Sequence, residues 1–133
     1  MHVFLTIASW QTQLIPRKIG LFFGRLLGDI TYFCLPIRKS YAKKNLEIAF
    51  PDQSESFREK VLRDCYRHFG MVLFDVLRMP KFKRKNDQKT VRIPEQTIDL
   101  YRSHNGGIIL SAHIGNWEFI GPALGLHHIN IAG

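Results

Sequence analysis

The sequence predicts an α/β fold, in which long N-terminal helices precede βαβ units of a mainly parallel sheet. Two apolar segments of helical length, at residues 16–36 and 57–79, predict the helical part. A third observation predicts the sheet: short apolar runs alternate with helix patterns, at Val91–Ile93, Ile108–Ala112 and Ile129–Ala132. The last run ends beside the final residue, so we expect an incomplete sheet with an unpaired edge.

The composition predicts a folded domain that faces an anionic partner. The chain has 133 residues, 45% of them hydrophobic, and a formal net charge of +8. Residues 101–133 hold one basic and one acidic residue, Arg102 and Glu118, so the positive charge lies in the front part of the chain. On charge alone, anionic lipid, nucleic acid and an acidic protein are all possible partners. We expect no nucleic-acid partner, because no recognition helix, RNA-stacking motif or zinc finger accompanies the charge.

The helix predicted over residues 16–36 carries a ridge of small residues. Its members share a four-residue spacing and so lie on one face: Gly20, Gly24 and Gly28. Such a ridge lets another helix or a lipid chain approach the backbone closely. Arg25 and Asp29 are also four positions apart, and we expect them to be able to pair on one face.

The same helix is predicted to attach residues 1–40 to a membrane. Its length is near that needed to cross a bilayer, but the central charges of Arg25 and Asp29 make a complete span costly. A helix lying in the interface fits better, because a neighbouring basic cluster suits anionic headgroups. The cluster consists of Arg38, Lys39, Lys43 and Lys44. A buried core helix of a soluble protein is the alternative that stays open.

A second long helix is predicted from about Phe57 to Met79, before Pro80. Ser56 and Glu59 have the spacing of a capping box at its start. A basic run follows this helix and includes Lys81, Lys83, Arg84 and Lys85. Such runs are usually solvated loops, and the more specific interpretation is a docking patch for an acidic partner or for lipid phosphates.

Chemistry is expected where the apolar run Ile108–Ala112 ends. Asn116 is a good N-cap, which places Trp117 and Glu118 in the first turn of the next helix. On one continuous helix His113 and Glu118 would point about 140° apart, so a turn between them is needed to bring them together. The carboxylate can then fix the tautomer of the imidazole, whose other nitrogen acts as a base towards an alcohol.

Other chemistries fit the residues less well. Ser111 lacks the Gly-x-Ser-x-Gly context of a nucleophile and lies inside the predicted strand. His127 and His128 offer a third metal ligand, but no zinc-binding spacing accompanies them, and they are predicted to cap a helix end instead. A His–Glu base acting on a hydroxyl needs neither a metal nor another cofactor, so none is expected.

Two stretches carry a resemblance to a known family. They are Asn45-Leu46 with Ala49-Phe50-Pro51, and Gly106 to Glu118, which ends in His-Ile-Gly-Asn-Trp-Glu. The chain resembles the bacterial lipid A biosynthesis acyltransferases, the lauroyl/myristoyl transferases with a His-x4-Asp/Glu pair, over nearly its whole length. The resemblance implies a glycerolipid-acyltransferase-like fold and an enzyme on the cytoplasmic side of the bacterial inner membrane. Residues 41–133 are then expected to be the N-terminal part of the acyltransferase domain, truncated at its C-terminus.

The resemblance also implies a reaction, the transfer of a fatty acyl group from acyl carrier protein to a hydroxyl of a lipid A precursor in lipopolysaccharide biosynthesis. It assigns His113 as the catalytic base and Glu118 as its partner, and Asn116 and Trp117 are expected to bind substrate. Acyl carrier proteins are acidic, so a docking role is expected for Lys81, Lys83, Arg84 and Lys85. Two alternatives stay open: an inactive, truncated relative that binds the membrane surface, and an acyltransferase for another glycolipid such as a phosphatidylinositol mannoside.

Overall fold

The computed structural model describes residues 2–35, 38–81, 91–104 and 107–129, and their regular structure is helical. The helices are α1 (His2–Leu14), α2 (Arg17–Cys34), α3 (Lys39–Ala49), α4 (Glu55–Leu77), α5 (Glu95–Ser103) and α6 (Ile120–Leu126), with 3-10 turns at Met79–Lys81 and Trp117–Phe119. The chain forms two compact units, Met1–Leu77 and Arg78–Gly133. The predicted boundary at residue 40 concerns membrane attachment and stays a prediction.

The predicted parallel sheet is wrong, because the described residues contain no β-strand. The expected central strand, Ile108–Ala112, is irregular, and Ile108 and Leu110 are 96% and 97% exposed. Val91–Ile93 is irregular as well, and residues 130–132 of the third expected strand lie outside the described residues. A strand forms only where neighbouring strands pair its N–H and C=O groups. A short apolar run cannot specify that distant partner, so local apolarity was insufficient evidence for a sheet.

In the first unit, the glycine ridge of α2 packs on α4. Gly20, Gly24 and Gly28 are all buried. A Cβ atom added to Gly24 would lie 2.6 Å from the carbonyl oxygen of Gly70 on α4, closer than a side-chain carbon can approach. The predicted close-approach ridge is therefore confirmed, and the element that approaches it is helix α4.

Ion pairs at both ends of the α2–α4 interface fix its register. Arg63 and Arg67 of α4 donate from Nε to Oδ1 of Asp29 at 2.7 and 2.8 Å. These hydrogen bonds lower the pKa of Asp29 to about 2, and the one from Arg67 makes the largest contribution. Arg17 donates from Nε and Nη2 to the two oxygens of the buried Asp75 at 2.9 and 2.6 Å. Asp29 therefore pairs with arginines of the facing helix, whereas its spacing in the sequence predicted a possible pair with Arg25 on the same helix.

The start of α4 differs from the predicted capping box. The hydroxyl of Ser54, not that of Ser56, accepts from the backbone N–H of Phe57 at 3.2 Å. The Glu59 carboxylate accepts from the Tyr32 hydroxyl and binds Lys43 at 3.0 Å. It therefore links α2, α3 and α4 instead of capping a helix.

In the second unit, α5 lies between the apolar runs Val91–Ile93 and Ile108–Ala112, where a helix pattern was expected, and α6 begins after a 3-10 turn that occupies the expected first helical turn at Trp117 and Glu118. Phe119 and Ala123 are the buried centre of a small apolar cluster, against which Val91, Ile93 and Leu126 pack. Since Phe119 ends the 3-10 turn that contains Glu118, its burial anchors the turn that follows His113.

Candidate active site

His113 lies at a tight reversal of the chain. The N–H of Ile114 donates to the carbonyl of Ala112 at 2.8 Å, across the histidine. Gly115 has a φ of 65°, in the left-handed region that glycine adopts without steric cost. The expected turn between His113 and Glu118 is therefore present, and Gly115 is the residue that permits it.

Glu118 lies in the 3-10 turn Trp117–Phe119, immediately before α6. Asn116 precedes this turn, but its side chain makes no capping hydrogen bond, so the predicted side-chain cap is wrong. The backbone of Asn116, with φ −103° and ψ 79°, is not in the extended conformation typical of an N-cap. Its carbonyl instead accepts from the N–H of Phe119 at 3.3 Å.

The structure places the imidazole of His113 against the indole of Trp117, with ring centroids 4.4 Å apart and ring planes inclined by 41°. His113 and Glu118 are exposed, and Trp117 is half-buried. A hydrogen bond between His113 and Glu118 stays a prediction, and catalytic hydrogen bonds often tighten only when substrate binds. The turn thus lies between the two predicted catalytic residues, and the ring of His113 contacts an aromatic side chain.

Three solvent-exposed apolar side chains flank His113 in the sequence. Ile108 and Leu110 precede it and Ile114 follows it, all among the most exposed large hydrophobic residues of the chain. Sequence reasoning assigned Ile108 and Leu110 to the core of a sheet and so missed them as surface residues. No sequence signal identifies their exposure, because Ile109 between them is apolar as well and the run has no polar alternation.

The other candidate residues are an alternative nucleophile, possible metal ligands and the basic docking run. The Ser111 hydroxyl is exposed and lies 3.5 Å from the carbonyl of Ala112. Within residues 2–35, 38–81, 91–104 and 107–129, no group of three or more His, Cys, Asp and Glu is arranged to hold a metal ion. Lys81 ends the 3-10 turn after α4, and Lys83, Arg84 and Lys85 lie outside the described residues. Their docking role stays a prediction.

A second candidate surface is an exposed apolar face of α2, in the first unit. This α2 outer face consists of Ile19, Phe22, Phe23, Leu26, Ile30 and Phe33. It lies apart from the buried glycine ridge on the same helix, and α1 also exposes Trp10. Among the described helices, no single one is long and apolar enough to cross a bilayer, whereas α2 and α3, bent by 100°, reach that length and apolarity together.

Comparison with known proteins gives one consistent result. The family model described as bacterial lipid A biosynthesis acyltransferase matches residues 1–133. The chain is 31% identical over 133 residues to the lipid A biosynthesis acyltransferase of Haemophilus influenzae, a match covering 96% of this chain and 42% of that protein. It is 35% identical over 66 residues to the lipid A biosynthesis palmitoleoyltransferase of Escherichia coli, covering 50% of this chain and 22% of that protein. The chain thus spans less than half the length of these relatives, and no solved structure matches it.

Proposed function

The chain belongs to the bacterial lipid A biosynthesis acyltransferase family, and we propose that it moves a fatty acyl group from an acyl-carrier-protein thioester to a hydroxyl of a lipid A precursor. The observation that carries this proposal is the turn at Gly115, which leaves His113 exposed with its ring against Trp117, the residue before Glu118. This turn lies in the His-x4-Glu stretch through which the chain resembles the family.

The reaction needs one base and no covalent enzyme intermediate. His113 takes the proton of the acceptor hydroxyl as its oxygen attacks the thioester carbonyl, and Glu118 accepts a hydrogen bond from the other imidazole nitrogen. A carbon–oxygen bond forms, the carbon–sulfur bond breaks, and His113 returns the proton to the leaving thiolate. The exposure of His113 suits this role, because both substrates must reach it from outside the chain.

The apolar residues around His113 suit a fatty acyl substrate. Ile108, Leu110 and Ile114 offer exposed hydrocarbon surface on both sides of the histidine in sequence. Covering such surface with an acyl chain is favourable by roughly 25 cal/mol per Å² of apolar area removed from water. A hydrophilic acyl group would gain nothing there, so this surface favours a long-chain donor.

We also propose that the first unit lies on the cytoplasmic surface of the bacterial inner membrane. The α2 outer face supports this, because large exposed apolar patches mark interaction surfaces and an amphipathic helix can lie in the bilayer interface. Arg38, between α2 and α3, and Lys44, on α3, are exposed and so can meet anionic headgroups. Acyl carrier protein, the proposed donor, is acidic and would meet the basic run from Lys81 to Lys85.

The proposal is tested by an acyl-transfer assay on the protein as expressed from its own gene, with acyl carrier protein thioester and lipid A precursor in mixed micelles. His113→Ala is expected to lower the rate by about 100- to 10,000-fold, the usual contribution of a general base. His104→Ala, which removes another exposed histidine of the same unit, is the matched control and is expected to leave the rate within about twofold. Equal rates for His113→Ala and the unmodified protein would overturn the proposal.

A second candidate function is a membrane-surface protein without acyl-transfer activity. The observation that favours it is the α2 outer face, which can bind lipid whatever the site at His113 does. The acyl-transfer assay, combined with a vesicle-binding measurement, separates the two functions. Binding to vesicles without transfer to any lipid A precursor supports the second. Transfer to a different glycolipid, such as a phosphatidylinositol mannoside, would keep the chemistry and change the acceptor.

A further inference from the structure

A groove of about 560 Å³ lies between α2 and α4 in the first unit. Its volume falls in the range of about 300–1,000 Å³ that is usual for small-molecule sites. Leu27 and Thr31 of α2 form one wall, and Cys65, Phe69 and Leu73 of α4 form the other. The lining is largely apolar, and Arg38 is its charged member among the described residues.

The groove exists because one face of α4 is only partly covered. Cys65, Phe69 and Leu73 follow one another at four-residue spacing and so share a face. Leu62 lies seven residues before Phe69 on that face and is 2% exposed, whereas Phe69 is 63% exposed. Helix α3 packs near the start of α4, where Lys43 contacts Glu59. Beyond that point the apolar face of α4 continues without a covering helix in the described structure.

Arg38 gives the groove a charged end. It lies between α2 and α3 with a φ of 54°, an uncommon conformation for a residue with a side chain. Its neighbours Lys39 and Lys43 contact Glu59 at 3.6 and 3.0 Å. Within the described part of the chain no carboxylate contacts Arg38, so its charge is available to an anion from outside.

We propose that this groove binds one acyl chain of an anionic membrane phospholipid, whose phosphate pairs with Arg38. An apolar groove with one cation at its end complements a lipid, which joins a hydrocarbon chain to an anionic headgroup. The α2 outer face leads to the groove, because Phe23 and Leu27 lie four residues apart on α2 and both are exposed. A lipid in the bilayer interface can therefore reach it. The inference rests on the proposed membrane location of the first unit and is independent of acyl transfer at His113.

The test is photocrosslinking in vesicles. Phosphatidylglycerol or phosphatidylcholine with a diazirine near the end of one chain is reconstituted with the protein, and labelled residues are mapped by mass spectrometry. With phosphatidylglycerol, label is expected on Cys65, Phe69 and Leu73. Arg38→Gln is expected to lower this groove labelling about fivefold, the effect of one cation at an anionic surface, and to leave labelling of the α2 outer face unchanged. Leu73→Glu, which places an anion in the groove, is expected to abolish groove labelling.

Three results would overturn the inference. Groove labelling could be equal in Arg38→Gln and the unmodified protein, or equal for the two phospholipids. Label could also be confined to the α2 outer face, which would mean that a partner protein or another segment of the chain covers the groove. The His113→Ala variant separates this inference from the proposed reaction, since it is expected to lose acyl transfer and to keep groove labelling.

Discussion

The imidazole ring of His113 packs on the indole ring of Trp117, with centroids 4.4 Å apart. The left-handed turn at Gly115 makes this contact possible, because it reverses the chain between the two rings. The proposed base is thereby supported by the residue that immediately precedes its proposed partner, Glu118. The substrate-binding role of Trp117 stays a prediction, and this contact adds a second hypothesis, that Trp117 positions His113.

Replacing Trp117 by Ala should remove this support. We expect kcat for acyl transfer to fall by about tenfold or more, because misplacing a catalytic group slows the chemical step, with little change in KM. Trp117→Phe keeps an aromatic ring and should retain most of the rate. An increase in KM with kcat unchanged would show that Trp117 binds substrate and does not position His113.

Gly24→Ala should destabilise the first unit. The added Cβ would meet the carbonyl oxygen of Gly70 at 2.6 Å, and overpacking of this kind costs about 1–3 kcal/mol of unfolding free energy. Gly121→Ala in α6 is the matched control, since a Cβ there meets no atom within 4 Å. It should leave stability unchanged or raise it by up to about 1 kcal/mol. Denaturant unfolding measures both, and equal stabilities for Gly24→Ala and the unmodified chain would contradict the α2–α4 packing.

Asp29 should make stability depend on pH in the acid range. Its folded pKa is lowered from 3.8 to about 2 by Arg67 and Arg63. Its stabilising effect is therefore complete above the unfolded pKa near 4 and disappears as the pH falls through about 2. Asp29→Asn should be less stable than the unmodified chain by about 1–2 kcal/mol at pH 7, allowing for the partial exposure of the arginines. That difference should shrink from about pH 4 downwards and be lost below about pH 2, and a difference independent of pH would contradict the assignment.

The ion pair of Arg17 with Asp75 should contribute more to the free energy of unfolding than an exposed ion pair does. Asp75 is buried and receives two hydrogen bonds from the guanidinium, so Arg17→Ala should cost about 2 kcal/mol. Arg17→Lys should recover part of this, because lysine cannot form the bidentate pair. Lys60→Ala is the control: it removes an exposed pair with Asp64 and should cost about 0.5 kcal/mol or less. Similar losses for Arg17→Ala and Lys60→Ala in thermal unfolding would contradict this ranking.

The parts of the fold that local sequence encodes were predictable. Helices α2 and α4 lie close to the ranges that apolar spacing predicts, since helical hydrogen bonds join residues four apart. The parts that depend on distant partners were not predictable. Asp29 has two arginine partners on another helix, and Ile108–Ala112 lacks strand neighbours in the described structure. Helix α3 was missed because its lysines were interpreted only as a headgroup-binding cluster, and none of its residues is buried.

The candidate site was predictable to a similar extent. The glycine and asparagine between His113 and Glu118 indicate a turn, and the structure has that turn. The contact of His113 with Trp117 was missed, because the direction of a side chain depends on the φ and ψ angles of the turn and not on residue spacing. The exposure of Ile108 and Leu110 was missed because an apolar run suggests burial unless its neighbours are known.

The most direct test of the central claim is a double-mutant cycle on acyl transfer, with His113→Ala, Glu118→Gln and the double variant measured in one assay. If Glu118 acts through His113, the double variant should be no slower than His113→Ala, because residues that act as a unit have non-additive effects. Glu118→Gln alone should be slowed less than His113→Ala. An undiminished rate for His113→Ala, or a Glu118→Gln effect of the same factor with and without His113, would contradict a catalytic His113–Glu118 pair.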